Sequence, residues 1–260
     1  MTWNVWWRFG SRWRERQRGI GVVVSAVAPD VLGLQEAWRA GGTSQPQVLA
    51  GERAHAAFVP MSIPPVPDPV ESPDQADVEM GVGLVSRWPI TDLVDHPLPA
   101  RHRDPPMALV ATLAHPCGPL HVIVACTEWE PQYVEDHRAQ TRELARLMTD
   151  PAFDGDLPVL LLGDLNGAPD TEEIRPLHAV ASDLWSAGGG DPAAITLSSA
   201  TPDAPLEAVR QIDRRIDYAF ARPGRPGVPL GVRESRLAGD RPVHGVFPSD
   251  HFAVVCELDP

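Results

Sequence analysis

The stretch LLGDLNGAPD, residues 161–170, sets Asp164 and Asn166 two positions apart at the end of an apolar run. Side chains alternate along an extended chain, so the carboxylate and the amide share one face while Leu165 takes the other. The buried run Val159–Leu162 is a rigid mount for groups that need fixed geometry. Other apolar segments carry polar groups in the same manner: Asn4 in TWNVW, Glu36 closing LGLQE, Glu128 closing VACTE, Asp217 in RRIDYAF, and Asp250-His251 just before FAVV. One acidic residue after a strand is usually a turn or cap residue. The same placement recurring along the chain argues for a shared site. Hard oxygen donors without a cysteine or paired-histidine motif fit magnesium or manganese rather than zinc. The Asp-His pair adds a base oriented by a carboxylate. Such a set suits attack of water on phosphorus, with the metal neutralising charge on the phosphoryl oxygens and the leaving group.

These residues must be positioned by the elements between them. Residues 2–7 read as a short apolar strand with almost nothing before it, so either the strand is clipped or the natural start lies upstream. Residues 12–28 read as a helix closed by Pro29-Asp30, and 31–36 as a short buried strand. Residues 44–58 look helical, and the Pro- and Asp-rich stretch 60–79 forms a long loop. A strand at 81–90 and two strands within 108–128, joined by a Pro-Cys-Gly-Pro turn, follow. The pattern then gives a helix at 131–149, a strand at 158–164, a helical turn near 170–178, and strands at 215–222 and 252–257. There is no internal repeat, and composition does not change across the long loop, so a single domain over 1–260 is expected. Two sheets packed face to face with helices outside accommodate this order.

Bulk properties narrow the function. The net charge is −13, which weighs against nonspecific nucleic-acid binding and favours a small phosphorylated substrate. All 22 cationic residues are arginine, and 29 prolines accompany them, a bias that mutational pressure in a GC-rich genome explains. Three cysteines without metal-type spacing point away from a disulfide framework or a zinc site and toward a reducing cytoplasm. No apolar run is long enough for a membrane span, and the first residues lack signal-peptide character. Arginines at 8, 12, 14, 16 and 18 read as a solvated helix face paired with Glu15. Trp3, Trp7 and Trp88 read as core, whereas aromatics beside a metal site, with Trp129 next to Glu128, are able to stack a base or sugar.

In order, WN, LQE, GVGLVSRWPI, GDLN, RIDY and PSDH make the chain resemble the endonuclease/exonuclease/phosphatase superfamily from Trp3 to about Val255. The resemblance implies an α/β fold, a four-layer αββα sandwich with two central mixed β-sheets flanked by helices and the site at one end of the sheets. It implies a divalent metal, usually Mg2+, with Mn2+ as substitute. Glu36 then matches the metal-binding glutamate and Asn4 the asparagine beside it, which helps to hold metal or phosphate. Asp164 matches the residue that positions or deprotonates the attacking water, and Asn166 the amide that holds a phosphoryl oxygen. Asp250 matches a residue near the metal, His251 the catalytic histidine, and Asp217 its orienting carboxylate. Arg138 and Gln140 resemble an Arg-x-Gln helix start, and read equally well as a solvated helix face.

One departure matters. Many members carry a histidine after the middle strand, and here Glu128 takes that place. A carboxylate is electrostatically wrong for holding a phosphoryl oxygen. Glu128 therefore binds metal, holds a substrate hydroxyl or amine, acts as a protonated donor, or merely faces solvent. His137, in the following helix, supplies the missing donor only if that helix starts close to the site. The expected activity is divalent-metal-dependent hydrolysis of a small phosphomonoester or phosphodiester. The rivals are a nuclease of the same fold and a binding protein that keeps the fold without turnover.

Overall fold

Strands that read as continuous apolar runs require cover on both faces. In VLLLGD every residue is buried, as are the first eight of VLGLQEAWRA. The computed structural model, which describes residues 1–226, 228 and 230–259, provides that cover. In chain order its strands are β1 (Thr2–Asn4), β2 (Val31–Ala40), β3 (Thr43–Ser44), β4 (His55–Pro60), β5 (Glu79–Ser86), β6 (Ile90–Pro97), β7 (Met107–His115), β8 (Gly118–Cys126), β9 (Val159–Asp164), β10 (Ser182–Asp183), β11 (Asp217–Arg222), β12 (Val232–Ala238) and β13 (Ala253–Leu258). The helices are α1 (Trp13–Val27), α2 (Gln45–Ala50), α3 (Val134–Met148), α4 (Arg175–His178) and α5 (Leu184–Ala187).

One sheet runs β12-β13-β1-β2-β5-β4, with β3 on β2; the other runs β10-β11-β9-β8-β7-β6. Each is mixed and holds one parallel pair near its centre, β1 with β2 and β8 with β9. Between the sheets lie Val82, Leu84, Leu109, Val122, Val124 and Leu162. Outside the first sheet, Trp3, Leu32 and Leu34 pack under Ile20 and Val24 of α1. Outside the second, Ile123, Val159 and Leu161 pack under Leu144, Leu147 and Met148 of α3. Three apolar seams separate four layers, as the resemblance implied. Gly33 lets the sheets approach closely, since a Cβ there would sit 2.8 Å from the Leu162 side chain.

The structure corrects several expectations. Only Gln45–Ala50 of 44–58 is helical; Gly51, at φ 57°, ends the helix, and 55–60 pair with β5 as β4. β2 does not stop at Glu36 but runs on to Ala40 through a register shift between Leu34 and Ala37. β6 and β12 escaped the sequence pattern because their residues are mostly exposed or half-buried. Arg16 does not lie on a solvated face: it is buried, and Arg14 pairs with Asp74 rather than Glu15. Gln140 is buried as well. Trp3 and Trp7 are core; Trp88 is half-buried against it. Among the described residues no helix is long and apolar enough to cross a membrane.

Candidate active site

Strand direction gathers the polar residues. β1 and β9 end at Asn4 and Asp164, while antiparallel β11 starts at Asp217, directly opposite Asp164. Glu36 needs a special device. In β2 Leu34 points outward and Gln35 inward, toward the Leu162 carbonyl, so strict alternation would send Glu36 outward. Instead Glu36 adopts a left-handed φ of 52° at the irregularity, and its carboxylate meets Asn4. Such bulges re-aim a side chain at the cost of local strain, and are common beside active sites.

Asn4 is the hub. Its amide nitrogen donates to Glu36 Oε1 at 2.8 Å and to Asp164 Oδ2 at 2.9 Å, and its oxygen accepts from the Trp6 N–H. Asn4 thus holds two carboxylates in place, and its oxygen keeps a second lone pair beside the Trp6 bond. Asp164 Oδ1 accepts the Asn166 backbone N–H at 3.1 Å, and Asn166, at φ 50°, donates from its amide to the Thr127 carbonyl at 2.9 Å. Ser249 ties the last motif to the first, donating to the Asn4 carbonyl at 2.8 Å beside Asp250. The Trp3 indole donates to the His251 carbonyl at 2.9 Å.

His251 lies between two carboxylates. Nδ1 is 2.9 Å from Asp217 Oδ2, and Nε2 is 3.9 Å from Asp164 Oδ2. Burial alone would lower its pKa, but Asp217, Asp164 and Asp250 together drive it well above the ordinary value. Burial, reinforced by Asp250, pushes Glu36 up to about 8. Burial also raises Asp250 and, with Asp217 opposite, Asp164. Asp217 Oδ1 is buried without a partner. Buried carboxylates pushed toward their neutral form signal a site that lacks positive charge. Asp164, Asp217 and His251 offer ligand atoms within 4.8 Å of one another, and Glu36 adds a further oxygen beside Asp164 through Asn4. The clustered carboxylate oxygens suit a divalent cation.

A cavity of about 140 Å³ opens onto Glu36, Asp164, Asn166, Asp250 and His251. Glu128 does not line it. Its carboxylate folds back to accept the N–H groups of Trp129 and Glu130, each at 3.0 Å, and meets Arg103 at 3.3 Å. Gln140 completes the loop by accepting the Glu128 N–H at 2.8 Å and donating to the Pro99 carbonyl. The substrate-binding place expected of Glu128 is thus not what the structure gives it. A carboxylate beside two unpaired backbone donors satisfies them locally. His137 is not at the cavity either; it is buried and contacts the Leu165 carbonyl at 2.8 Å. Trp6, Trp129 and the segment containing Pro205, Ala208 and Gln211 do line the cavity. The sequence carried no periodic signal for that segment, which lies outside strands and helices.

The two-sheet sandwich thus carries a buried cluster of carboxylates and one histidine at one end of its sheets. The chain belongs to the endonuclease/exonuclease/phosphatase family, which it matches over residues 1–251 and whose members are hydrolytic phosphoesterases and nucleases that commonly use divalent metals. Solved structures agree on the fold. The human Nocturnin catalytic domain is 18% identical with a TM-score of 0.72, covering 99% of this chain and 91% of that one. A humanized D. rerio TDP2 is 17% identical with a TM-score of 0.70, covering 100% and 97%. An endonuclease/exonuclease/phosphatase protein from Beutenbergia cavernae is 23% identical with a TM-score of 0.68, covering 99% and 70%. No curated protein sequence matches.

Proposed function

We propose that the chain, acting as one domain, is a divalent-metal-dependent hydrolase of a small phosphomonoester or phosphodiester. The observation that carries this reading is the meeting of Glu36, Asp164, Asp250 and His251 on one cavity, with Asp217 holding the His251 ring. Glu36, Asp250 and Asp164 would hold Mg2+ or Mn2+, which when bound neutralises charge on the phosphoryl oxygens and the leaving oxygen. Asn4 keeps two of those carboxylates in place.

Asp164 orients the attacking water and takes its proton. His251, held through Nδ1 by Asp217, aims Nε2 into the cavity, where its protonated form donates to a phosphoryl oxygen as charge develops there. Asp217 fixes the ring through Nδ1. Asn166 uses one amide hydrogen on Thr127 and has a second for a phosphoryl oxygen. Glu128 acts as an organiser of the Trp129 loop.

No arginine lines the cavity among the described residues, and Glu207 stands at its wall, which disfavours a polyanionic strand. The test is a panel of nucleotides, sugar phosphates, phosphodiesters, lipid headgroups, single-stranded DNA and duplex DNA, run with magnesium, with manganese and with chelator. Hydrolysis of a small ester that chelator abolishes, and that Asp164→Asn and His251→Gln each remove, is the expected result. Preferential cleavage of DNA would replace the substrate assignment with the nuclease one. No turnover of any ester would leave a fold kept for binding.

A further inference from the structure

The turn that follows Asn4 is built against its own backbone preferences. Trp6 and Trp7 both adopt positive φ, 54° and 30°, where bulky side chains are genuine outliers. Such conformations persist only where the surroundings over-determine them, and they gather at functional sites. Here β2 and Asn4 take the N–H groups of the turn, and one buried side chain gathers its carbonyls. The Arg16 guanidinium donates to the carbonyls of Trp6 at 2.9 Å, Phe9 at 2.8 Å, Val5 at 3.2 Å, Trp7 at 3.2 Å and Pro248 at 3.4 Å. It also lies over the Trp6 ring, 4.4 Å from its centroid. Arg16 thus binds the turn after Asn4 to the segment before Asp250, with both terminal nitrogens on backbone carbonyls and Nε left without a partner. Gly10, at φ 69°, leaves room for the far edge of the same indole: a Cβ there would approach Trp6 to 3.2 Å.

What this construction delivers is a fixed indole. Trp6 lines the same cavity as Phe9, Trp129 and Pro205, the carboxylates and His251. The wall is therefore aromatic and apolar, and its added charge is negative, from Glu207. Among the described residues no cationic side chain lines the cavity for a second anionic group, whereas a flat, uncharged ring meets the Trp6 indole on the side that Arg16 leaves open.

We propose that Trp6 is a specificity-determining residue that selects a phosphoester bearing an uncharged ring next to the phosphate, and that Arg16 is the positioning residue that holds Trp6 in place. The assignment rests on the phosphoester reading above, but its test does not require turnover. Diphenyl phosphate and dimethyl phosphate carry the same single negative charge and differ in the ring. Their binding to the magnesium-supplemented protein is measured by isothermal titration calorimetry, for the parent and for the Trp6→Ala, Trp6→Phe and Arg16→Lys variants. The parent is expected to bind diphenyl phosphate about tenfold more tightly, the scale of one good aromatic contact. Trp6→Ala is expected to bring that ratio close to unity, and Trp6→Phe to restore most of it. Arg16→Lys keeps the charge but has no fork to span the carbonyls, and is expected to lower the ratio without abolishing phosphate binding. A loss of overall packing does not move a ratio between two ligands, and the Trp6 variants stand without the Arg16 one should the latter fail to fold. A parent with no preference, no binding of either ester, or a Trp6→Ala variant that keeps the parent's ratio overturns the proposal. A clear preference in a protein that hydrolyses no ester would overturn the catalytic reading alone.

Discussion

His137 gives a sharp test of how the site is held, because it is buried, sits in α3, and reaches the carbonyl of Leu165 between Asp164 and Asn166. At 2.8 Å its Nε2 must carry the hydrogen, since a carbonyl can only accept. Burial, with Arg138 and Arg210 nearby, lowers its pKa from 6.5 to about 4 despite the Leu165 bond and Glu173. The sign follows from linkage. The folded protein keeps the ring neutral, while the unfolded chain takes up a proton below 6.5. The stability associated with this residue is therefore present above pH 6.5, falls as pH drops toward 4, and changes no further below that. Each pKa unit is worth about 1.4 kcal/mol, so the loss is about 2 kcal/mol at pH 5 and about 3 kcal/mol at pH 4. His137→Gln supplies a neutral donor for the same carbonyl. At pH 7 it is expected to be less stable than the parent by about 1 kcal/mol, from imperfect packing and hydrogen-bond geometry. On going to pH 5 the parent should lose about 2 kcal/mol more than the variant. Urea unfolding at pH 7, 6 and 5, followed by tryptophan fluorescence and circular dichroism, reads this difference directly. Other titrating groups are shared by both proteins and cancel in it, as distant sites do. Parallel stability curves for parent and variant would refute the assignment of a buried, neutral His137.

Three further outcomes are expected. Magnesium should raise the thermal midpoint of chelator-treated parent protein, and Glu36→Gln should lose most of that rise; an equal rise in both would exclude Glu36 from holding the ion. Asp217→Asn should lower kcat on the best ester by about 10²–10⁴ while KM changes little, because it disturbs the ring that Asp217 orients rather than the substrate contacts; a parallel loss of binding would argue against that division. Gly33→Ala should destabilise the protein by about 1–3 kcal/mol in urea unfolding, since its methyl would press on Leu162 across the two sheets; an unchanged midpoint would mean that the sheets yield freely there.

Where sequence and structure agree, the reason is local. Apolar runs that end on a polar residue mark Asn4, Asp164 and Asp217, because strand ends are read from a few neighbouring residues. Where they part, the deciding interaction lies far away or runs against propensity. Alanines at 56 and 57 favour a helix, but pairing with β5 holds them as strand once Gly51 has ended α2. β6 is legible only weakly, since Thr91, Asp92, Leu93, Val94 and Asp95 are all exposed and leave no buried face to set an alternation. Arg16 reads as one more solvated charge in a basic run, because its acceptors are carbonyls, which leave no mark in side-chain patterning.

Glu128 shows the same limit from the other direction. At the end of an apolar strand, a carboxylate that stands where relatives carry a histidine reads as a group facing the reacting phosphate. In the fold it is buried, yet its oxygens are occupied by the N–H groups of the next two residues and by Arg103. Burial raises its pKa, while those N–H groups and Arg103 act in the opposite direction. A charge satisfied in that manner is spent on the shape of its own loop, and that loop carries Trp129 to the cavity wall. On the proposed reading Glu128 anchors the aromatic wall, and Asn166 and His251 are the donors left to meet the phosphoryl oxygens. Glu128→His should therefore loosen the loop by removing the acceptor of two backbone N–H groups, and reduce selectivity for ring-bearing esters, rather than improve turnover.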